Sequence, residues 1–106
     1  MTEGAAMDYA GLRRLLAHGW PVLLVDRVLA LEPGVCLTAV KAVTGSEPCY
    51  RDLPRGLPAD RYAYPVALML ESFGQAAAVL WLQTAAVQRK DSDGLLMFAA
   101  ARNCVI

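Results

Sequence analysis

The sequence predicts an α+β domain in which a β-hairpin precedes one long apolar helix. Residues 65–88 form an almost unbroken apolar run that starts at a proline and is followed by the polar, glycine-containing stretch 89–94. A proline in the first turn and polar residues with glycine beyond the end are typical helix boundaries. Upstream, the β-branched and leucine-rich runs 22–31 and 35–44 flank the turn residues 32–34. This pattern is typical of two antiparallel strands.

Shorter elements complete the predicted order of helix, hairpin, loop, long helix and strand. Asp8 is suited to cap a short helix that ends near Ala17, residues 45–63 form a proline-rich loop, and residues 95–106 form a last strand. A helix that is apolar on most faces has to be buried, and at roughly 36 Å it is long enough to cross a small domain. About three strands are too few to cover it, so further strands must come from elsewhere. The large aromatic residues expected in the core are Trp20, Phe73 and Trp81.

The composition excludes several classes of function. Ten basic residues balance ten acidic ones, so no net field favours nucleic acid or an anionic membrane surface. The 57% hydrophobic fraction is high for a single domain of 106 residues and suggests apolar surface left for a partner. No basic region followed by an apolar segment opens the chain, and three widely spaced cysteines fit a reducing cytoplasm. With neither a glycine-rich phosphate loop nor a metal-ligand cluster, we expect no cofactor and no metal.

A carboxylate and a side-chain amide lie within the apolar run, one helical turn apart. Glu71 and Gln75 are spaced i, i+4, so they lie on one face of the predicted helix, one turn apart. The plainer interpretation is a polar stripe that reaches water, because charged side chains are rarely fully buried. The sharper interpretation is a catalytic carboxylate facing an apolar pocket. A membrane span over 66–82 is disfavoured, because an acidic residue would lie near the middle of a short segment.

Two blocks of sequence resemble a known family. Residues 18–28, HGWPVLLVDRV, are similar to that family's H-R-Y-P-F-L-L-V-D-R-V, and residues 39–44 match its A-x-K-x-V-T. Pro65 with residues 68–77, LMLESFGQAA, is similar to P-G-V-L-x-L-E-A-x-A-Q-A-A, and residues 98–103 form a weaker third block. The family is that of the hotdog-fold 3-hydroxyacyl-[acyl-carrier-protein] dehydratases of fatty-acid synthesis and their polyketide relatives. The likeness covers about residues 12–106.

The resemblance implies a fold and a site. The hotdog fold is an antiparallel sheet wrapped around a central helix, and in this family two subunits share each active site. A histidine of one subunit takes a proton from C2 of an acyl thioester, and an acidic residue on the other subunit's central helix handles the 3-hydroxyl. By position, Glu71 matches this acidic residue and Gln75 the glutamine one turn on, so both are assigned to the catalytic group. The residues expected to bind the acyl substrate are Tyr64, Pro65, Val66 and Phe73.

The departures from the family pattern are specific. Where the family has G-H-F-P-G, this chain has Arg-Asp-Leu-Pro-Arg at 51–55, so Asp52 replaces the histidine. A carboxylate is a far weaker base than an imidazole at neutral pH. His18 is the only histidine and aligns with a different family residue, for which a structural role is expected. The resemblance also implies that Val66 replaces a glycine whose N–H binds the thioester carbonyl in the family. The family's later strands are absent, so residues 1–106 are expected to form one truncated domain.

These residues lead to three hypotheses of function. The first is a dehydratase-like subunit, inactive alone, that supplies Glu71 to a heterodimer in which a partner supplies the histidine; a homodimer is the other possible assembly. The second is a non-catalytic acyl-binding or scaffolding subunit of a polyketide or fatty-acid complex. The third is a hotdog thioesterase, disfavoured by the L-L-V-D-R-V strand motif. In each case the partner is an acyl chain on acyl carrier protein, in the cytoplasm, with no nucleic acid and no membrane.

Overall fold

The computed structural model describes residues 6–88 of the chain. Two α-helices and one two-stranded antiparallel sheet follow one another, with two single 3-10 turns before the second helix. The elements in chain order are α1 (Tyr9–Leu15), β1 (Arg27–Glu32), β2 (Cys36–Val40), the 3-10 turns Pro48–Tyr50 and Ala59–Tyr62, and α2 (Val66–Gln88). An α+β architecture is therefore confirmed. The predicted last strand, residues 95–106, lies outside the described residues.

The helix α1 begins where the sequence predicts. The Asp8 side chain accepts a hydrogen bond from the backbone N–H of Gly11 at 2.9 Å, as an N-cap residue does. The helix ends at Leu15, two residues earlier than predicted, because Leu16 adopts an extended conformation. This change of direction places Leu16 beside Leu12 in the core. The helix boundary is therefore set by burial of a leucine.

The two strands form the predicted hairpin. Glu32 pairs with Cys36 next to the turn, and Arg27 pairs with Val40 at the far end. Gly34 occupies the turn with φ of 78°, a left-handed conformation that side chains disfavour. Its N–H donates to the Thr84 hydroxyl at 2.7 Å, so the turn is tied to α2. The hairpin is thus fixed both by its own ladder and by the long helix.

Both strands are shorter than the sequence predicts, so the strand assignments of 22–26 and 41–44 are wrong. The backbone N–H of Leu24 donates to Gln75, and its carbonyl oxygen accepts from Ser72. At the end of β2, the N–H of Ala42 donates to the Asp26 carboxylate at 2.7 Å. Side chains therefore satisfy backbone groups that a sheet would otherwise have to pair.

The core lies where α1, the hairpin and α2 meet. Its members are apolar and almost fully buried: Leu12, Leu16, Leu23, Val25, Val28, Leu31 and Val79. Leu23 and Val25 come from the segment between α1 and β1, and Val28 comes from β1 itself. Removing this apolar surface from water is the main force that holds the three elements together.

Residues 6–88 bury only a narrow stripe of α2. The buried positions on this helix are Gln75, Val79 and Ala85, whereas Phe73 is 64% exposed. The expectation that α2 is buried on most sides is therefore not met by the described part of the chain. Trp20, at 76% exposed, and Trp81, at 36% exposed, are not core residues there either. The stretch Ala59–Gln88 is long and apolar enough to cross a membrane by length and composition alone.

We expect Gly34→Ala to destabilise the chain. A side chain at φ of 78° costs about 1–2 kcal/mol, although the space around Gly34 would admit a methyl group. The free energy of unfolding, measured by urea denaturation, should fall by that amount. Gly45→Ala is the matched control, because no atom lies within 4 Å of the added carbon. It should leave the free energy unchanged or raise it by less than about 1 kcal/mol. Equal losses in both variants would contradict this explanation.

Candidate functional site

The site is built around the buried side-chain amide of Gln75. This residue is 2% exposed and lies in the middle of α2. Its Oε1 accepts from the N–H of Leu24 at 2.7 Å, and its Nε2 donates to the carbonyl oxygen of Val22 at 2.6 Å. The second Nε2 hydrogen is donated to Oε2 of Glu71 at 2.9 Å. Both N–H groups and the oxygen of the amide are therefore paired.

The two backbone partners determine how the amide is oriented. A backbone N–H can only donate and a carbonyl oxygen can only accept, so Oε1 must face Leu24 and Nε2 must face Val22. A flipped amide would set donor against donor and acceptor against acceptor. The remaining N–H is then directed at Glu71 by the fold itself. Gln75 consequently acts as a fixed donor to one carboxyl oxygen.

Glu71 lies one turn before Gln75 and is open to solvent in the described chain. Half of its side chain is exposed. The plainer interpretation of this residue, a carboxylate that reaches water, therefore agrees with residues 6–88 taken alone. A carboxyl held by a hydrogen-bond donor can nevertheless accept or release a proton at a fixed position. An enclosed pocket around it would require residues beyond those described.

The structure adds His18 to this pair. Its Nε2 lies 3.7 Å from Oε2 of Glu71, and the histidine side chain is 38% exposed. His18 was expected to have only a structural role, and no local signal relates it to a residue 53 positions later. The contact arises because Gly19 forms a turn: its carbonyl oxygen accepts from the N–H groups of Val22 and Leu23. Gln75 then binds the same segment at Val22.

Pro65 and Val66 lie at the start of α2. The carbonyl oxygen of Pro65 accepts from the N–H groups of Leu68 and Met69, so Pro65 closes the first turn from just outside the helix. Val66 is the first helical residue and is half exposed. Its N–H is one of the four that a helix start leaves without an intrahelical partner. A substrate carbonyl is one group that this N–H can bind.

Tyr64 belongs to a second polar cluster. Its ring is buried, and the ammonium group of Lys41 lies 5.9 Å from the ring centroid. Lys41 forms an ion pair with Glu47 at 2.8 Å, and both side chains are largely buried, at 16% and 10% exposed. Burial raises the pKa of the Tyr64 hydroxyl. Tyr64 therefore contacts this ion pair, and within residues 6–88 it has no hydrogen bond to Glu71.

Asp52 lies in a turn after the 3-10 segment Pro48–Tyr50 and is exposed. The rings of Tyr50, just before this turn, and Tyr62 meet edge to face with centroids 6.3 Å apart. The Tyr62 hydroxyl donates to the carbonyl oxygen of Pro54 at 3.2 Å. Within the described chain, Asp52 forms neither a hydrogen bond nor an ion pair with Glu71. The structure therefore does not bring Asp52, which stands where the family has its histidine, to the carboxyl of Glu71.

Phe73 lines an apolar groove between β2 and α2. The groove has a volume of about 500 Å³ and is lined by Val25, Leu37, Thr38, Ala39, Val40, Lys41, Met69, Ser72, Phe73, Ala76, Ala77 and Leu80. Apolar walls with few polar groups suit an aliphatic chain. Among residues 6–88, no three histidine, cysteine, aspartate or glutamate side chains are grouped as metal ligands.

Comparisons with known proteins find similar individual proteins. No family model matches the chain. The chain is 40% identical over 97 residues to the 3-hydroxyacyl-[acyl-carrier-protein] dehydratase FabZ of Nitrosospira multiformis, covering 92% of this chain and 63% of the relative. It is 36% identical over 98 residues to the FabZ of Pseudoalteromonas translucida, covering 92% and 61%, and 46% identical over 74 residues to that of an Anaeromyxobacter species, covering 70% and 44%. The chain thus spans about three fifths of the length of the first two relatives.

We expect Gln75→Leu to destabilise the chain strongly. The substitution keeps the volume but leaves the N–H of Leu24 and the carbonyl oxygen of Val22 without their partner. A buried polar group left unpaired costs about 1–3 kcal/mol, so the free energy of unfolding should fall by about 2–4 kcal/mol in urea denaturation. Gln88→Leu, at the exposed end of α2, is the control and should change it by less than about 0.5 kcal/mol. Similar values for the two variants would rule out the anchoring role.

The ion pair between Lys41 and Glu47 should make stability depend on pH. Its hydrogen bond to Lys41 lowers the pKa of Glu47 from the ordinary 4.5, so this contribution is present above pH 4.5 and is lost as the pH falls through the lowered value. Burial lowers the pKa of Lys41, but the hydrogen bond and charge of Glu47 outweigh it and raise the pKa above 10.5. The contribution of Lys41 is therefore lost only as the pH rises through that raised value.

Chemical denaturation between pH 7 and pH 3 measures the acid limb. The free energy of unfolding should fall less steeply with acid in Glu47→Gln than in the wild type, because the variant has no carboxylate at position 47 to protonate. Glu32→Gln, at the exposed end of β1, should follow the wild-type curve. If Glu47→Gln and the wild type lose the same free energy between these pH values, the ion pair does not contribute to stability.

Proposed function

Since the chain belongs by sequence to the 3-hydroxyacyl-[acyl-carrier-protein] dehydratase family, we propose that it is a dehydratase subunit in which Glu71 is the catalytic acid. The substrate is a 3-hydroxyacyl thioester on acyl carrier protein, in fatty-acid or polyketide synthesis. The observation that carries this proposal is the Gln75 amide, which the backbone of 22–24 orients so that one N–H holds Oε2 of Glu71. A carboxyl held in this way is suited to repeated proton transfer at one position.

Two groups each transfer one proton in the reaction: a base accepts one, and Glu71 donates one. A base removes a proton from C2, the electron pair forms the C2–C3 double bond, and the C3–O bond breaks. The leaving hydroxyl takes a proton from the carboxyl group of Glu71 and departs as water. Gln75 does not exchange a proton in this scheme; it positions Glu71. The carboxylate that remains is stabilised by the Gln75 N–H until it is protonated again.

The segment 51–55 of this chain does not supply the base. Asp52 stands at the position of the family's histidine, is exposed, and has no contact with Glu71 among the described residues. We therefore assign the base to a histidine of a partner subunit, in a heterodimer whose second site lacks its base. A homodimer of this chain would have no histidine from the segment 51–55 in either site.

The fold proposed for this assembly is the hotdog fold, of which the described residues contribute α2 and two strands. The exposed apolar face of α2, with Phe73 and Val66, supports the view that further strands cover it, because an apolar helix surface of this length is unstable in water. The groove between β2 and α2 is the proposed path of the acyl chain. The proposed setting is the cytoplasm, without nucleic acid or membrane.

A non-catalytic acyl-binding subunit is the second candidate. Two observations favour it: half of the Glu71 side chain is exposed, and a β-branched Val66 occupies the helix start where the family has glycine. A side chain at that position narrows the approach of a thioester carbonyl to the N–H. Under this candidate the groove still binds an acyl chain, but the carboxyl of Glu71 has no chemical role.

Coexpression with a histidine-bearing dehydratase subunit distinguishes the two candidates. We expect the complex to dehydrate a 3-hydroxyacyl carrier-protein thioester, and Glu71→Gln to lower kcat by about a hundredfold or more, because general acid catalysis contributes 10²–10⁴-fold. Gel filtration should show that the variant complex stays intact. Glu32→Gln, at the exposed end of β1, should retain the wild-type rate. Wild-type turnover in an intact Glu71→Gln complex would refute the catalytic role and favour the binding subunit.

A further inference from the structure

His18 approaches the same oxygen of Glu71 that Gln75 holds. The distance from His18 Nε2 to Glu71 Oε2 is 3.7 Å, beyond the 2.7–3.2 Å of a direct hydrogen bond. A movement of less than about 1 Å, or one bridging water, would complete the contact. Both side chains are partly exposed, so such a water has access. The imidazole therefore lies in position to become a second donor to Oε2.

The other ring nitrogen indicates which atom carries the proton. Nδ1 of His18 is buried and has no hydrogen-bond partner among residues 6–88. A buried N–H without an acceptor is rarer in proteins than an acceptor without a donor. This favours the tautomer with its proton on Nε2, the nitrogen that faces Glu71. The histidine is therefore suited to donate to the carboxylate.

From this geometry we propose that His18 is a positioning residue for Glu71, which together with Gln75 holds Oε2 and leaves Oε1 for the reactant. The inference rests on the proposed function, because it assigns Glu71 the acid role. Within residues 6–88, Oε1 has no hydrogen-bond partner, whereas Oε2 accepts from Gln75 at 2.9 Å and lies 3.7 Å from Nε2 of His18. Two donors on one oxygen restrict rotation of the carboxyl group. The proton to be transferred is then held on Oε1.

The scaffold that places His18 is the same one that places Gln75. The carbonyl oxygen of Gly19 binds the N–H groups of Val22 and Leu23 at 2.8 and 2.9 Å, which folds the chain directly after His18. The amide of Gln75 binds the carbonyl oxygen of Val22. The segment 18–22 thus carries the histidine and is also hydrogen-bonded to α2. The turn therefore fixes the backbone next to His18 relative to α2.

The first arm of the test needs no turnover. His18 is the only histidine of the chain, so ¹⁵N-histidine labelling of this chain alone, in complex with an unlabelled partner, gives one set of imidazole signals. We expect Glu71→Leu to shift the Nε2 signal and to lower the share of the tautomer with its proton on Nε2. Glu32→Gln is the matched control and should leave both unchanged. If Glu71→Leu also leaves them unchanged, the contact does not exist and the proposal is overturned.

The second arm measures steady-state kinetics of the same complex. His18→Leu removes the donor and should lower kcat about tenfold to a hundredfold, the effect of one lost hydrogen bond to a charged group, with little change in KM. His18→Gln retains an N–H near the position of Nε2 and should recover most of the rate. A merely structural histidine would not be rescued by glutamine. Equal loss in both variants, or wild-type kcat in His18→Leu, would overturn the proposal.

The two proposals fail in different ways. If Glu71→Gln abolishes turnover and His18→Leu does not, Glu71 is the acid and the positioning role is wrong. If Glu71→Gln leaves turnover unchanged, the acid role is wrong and the positioning role falls with it, whatever the imidazole signals show.

Discussion

The described structure depends on one buried side-chain amide. Gln75 pairs both of its N–H groups and its oxygen, and two of these three bonds go to backbone groups of the segment 22–24. That segment lies outside the sheet, so its polar groups have no strand partner. Burying them unpaired would cost several kcal/mol in total, at about 1–3 kcal/mol for each group. The amide therefore permits the chain to pass between α1 and β1 in contact with α2, and the same contact orients Glu71.

The sequence predicts the elements that local signals specify. The N-cap at Asp8, the glycine turn at Gly34 and the apolar run of α2 are each encoded within a few residues. The strand boundaries are not, because the partners of Leu24 and Ala42 come from Gln75 and Asp26, which are distant in sequence. A β-branched run favours extended backbone, and the segment 22–26 contains such a run. Whether it joins a sheet depends on tertiary partners.

The sequence likewise predicts the candidate site only where its residues are close together in the chain. The i, i+4 spacing places Glu71 and Gln75 on one face, and the structure joins them with a hydrogen bond. His18 could not be found in this way, since its approach depends on the turn at Gly19. Trp20 and Phe73 were expected in the core because of their size. Hydrophobicity indicates that a side chain tends to leave water, but it does not identify the surface that covers it, and residues 6–88 leave both exposed.

The exposed apolar surface of α2 and the half-exposed carboxyl of Glu71 lie on different faces of one helix. Phe73 and Glu71 are spaced i, i+2, so a partner that covers both side chains has to wrap around α2. Covering strengthens every hydrogen bond to the carboxyl, because water no longer competes for Oε2. Oε2 already accepts a hydrogen bond from Gln75 in the described chain, whereas Oε1 has none there. Once water is excluded, Oε1 must find a partner in whatever covers the carboxyl, and a hydroxyl group is one partner that satisfies it.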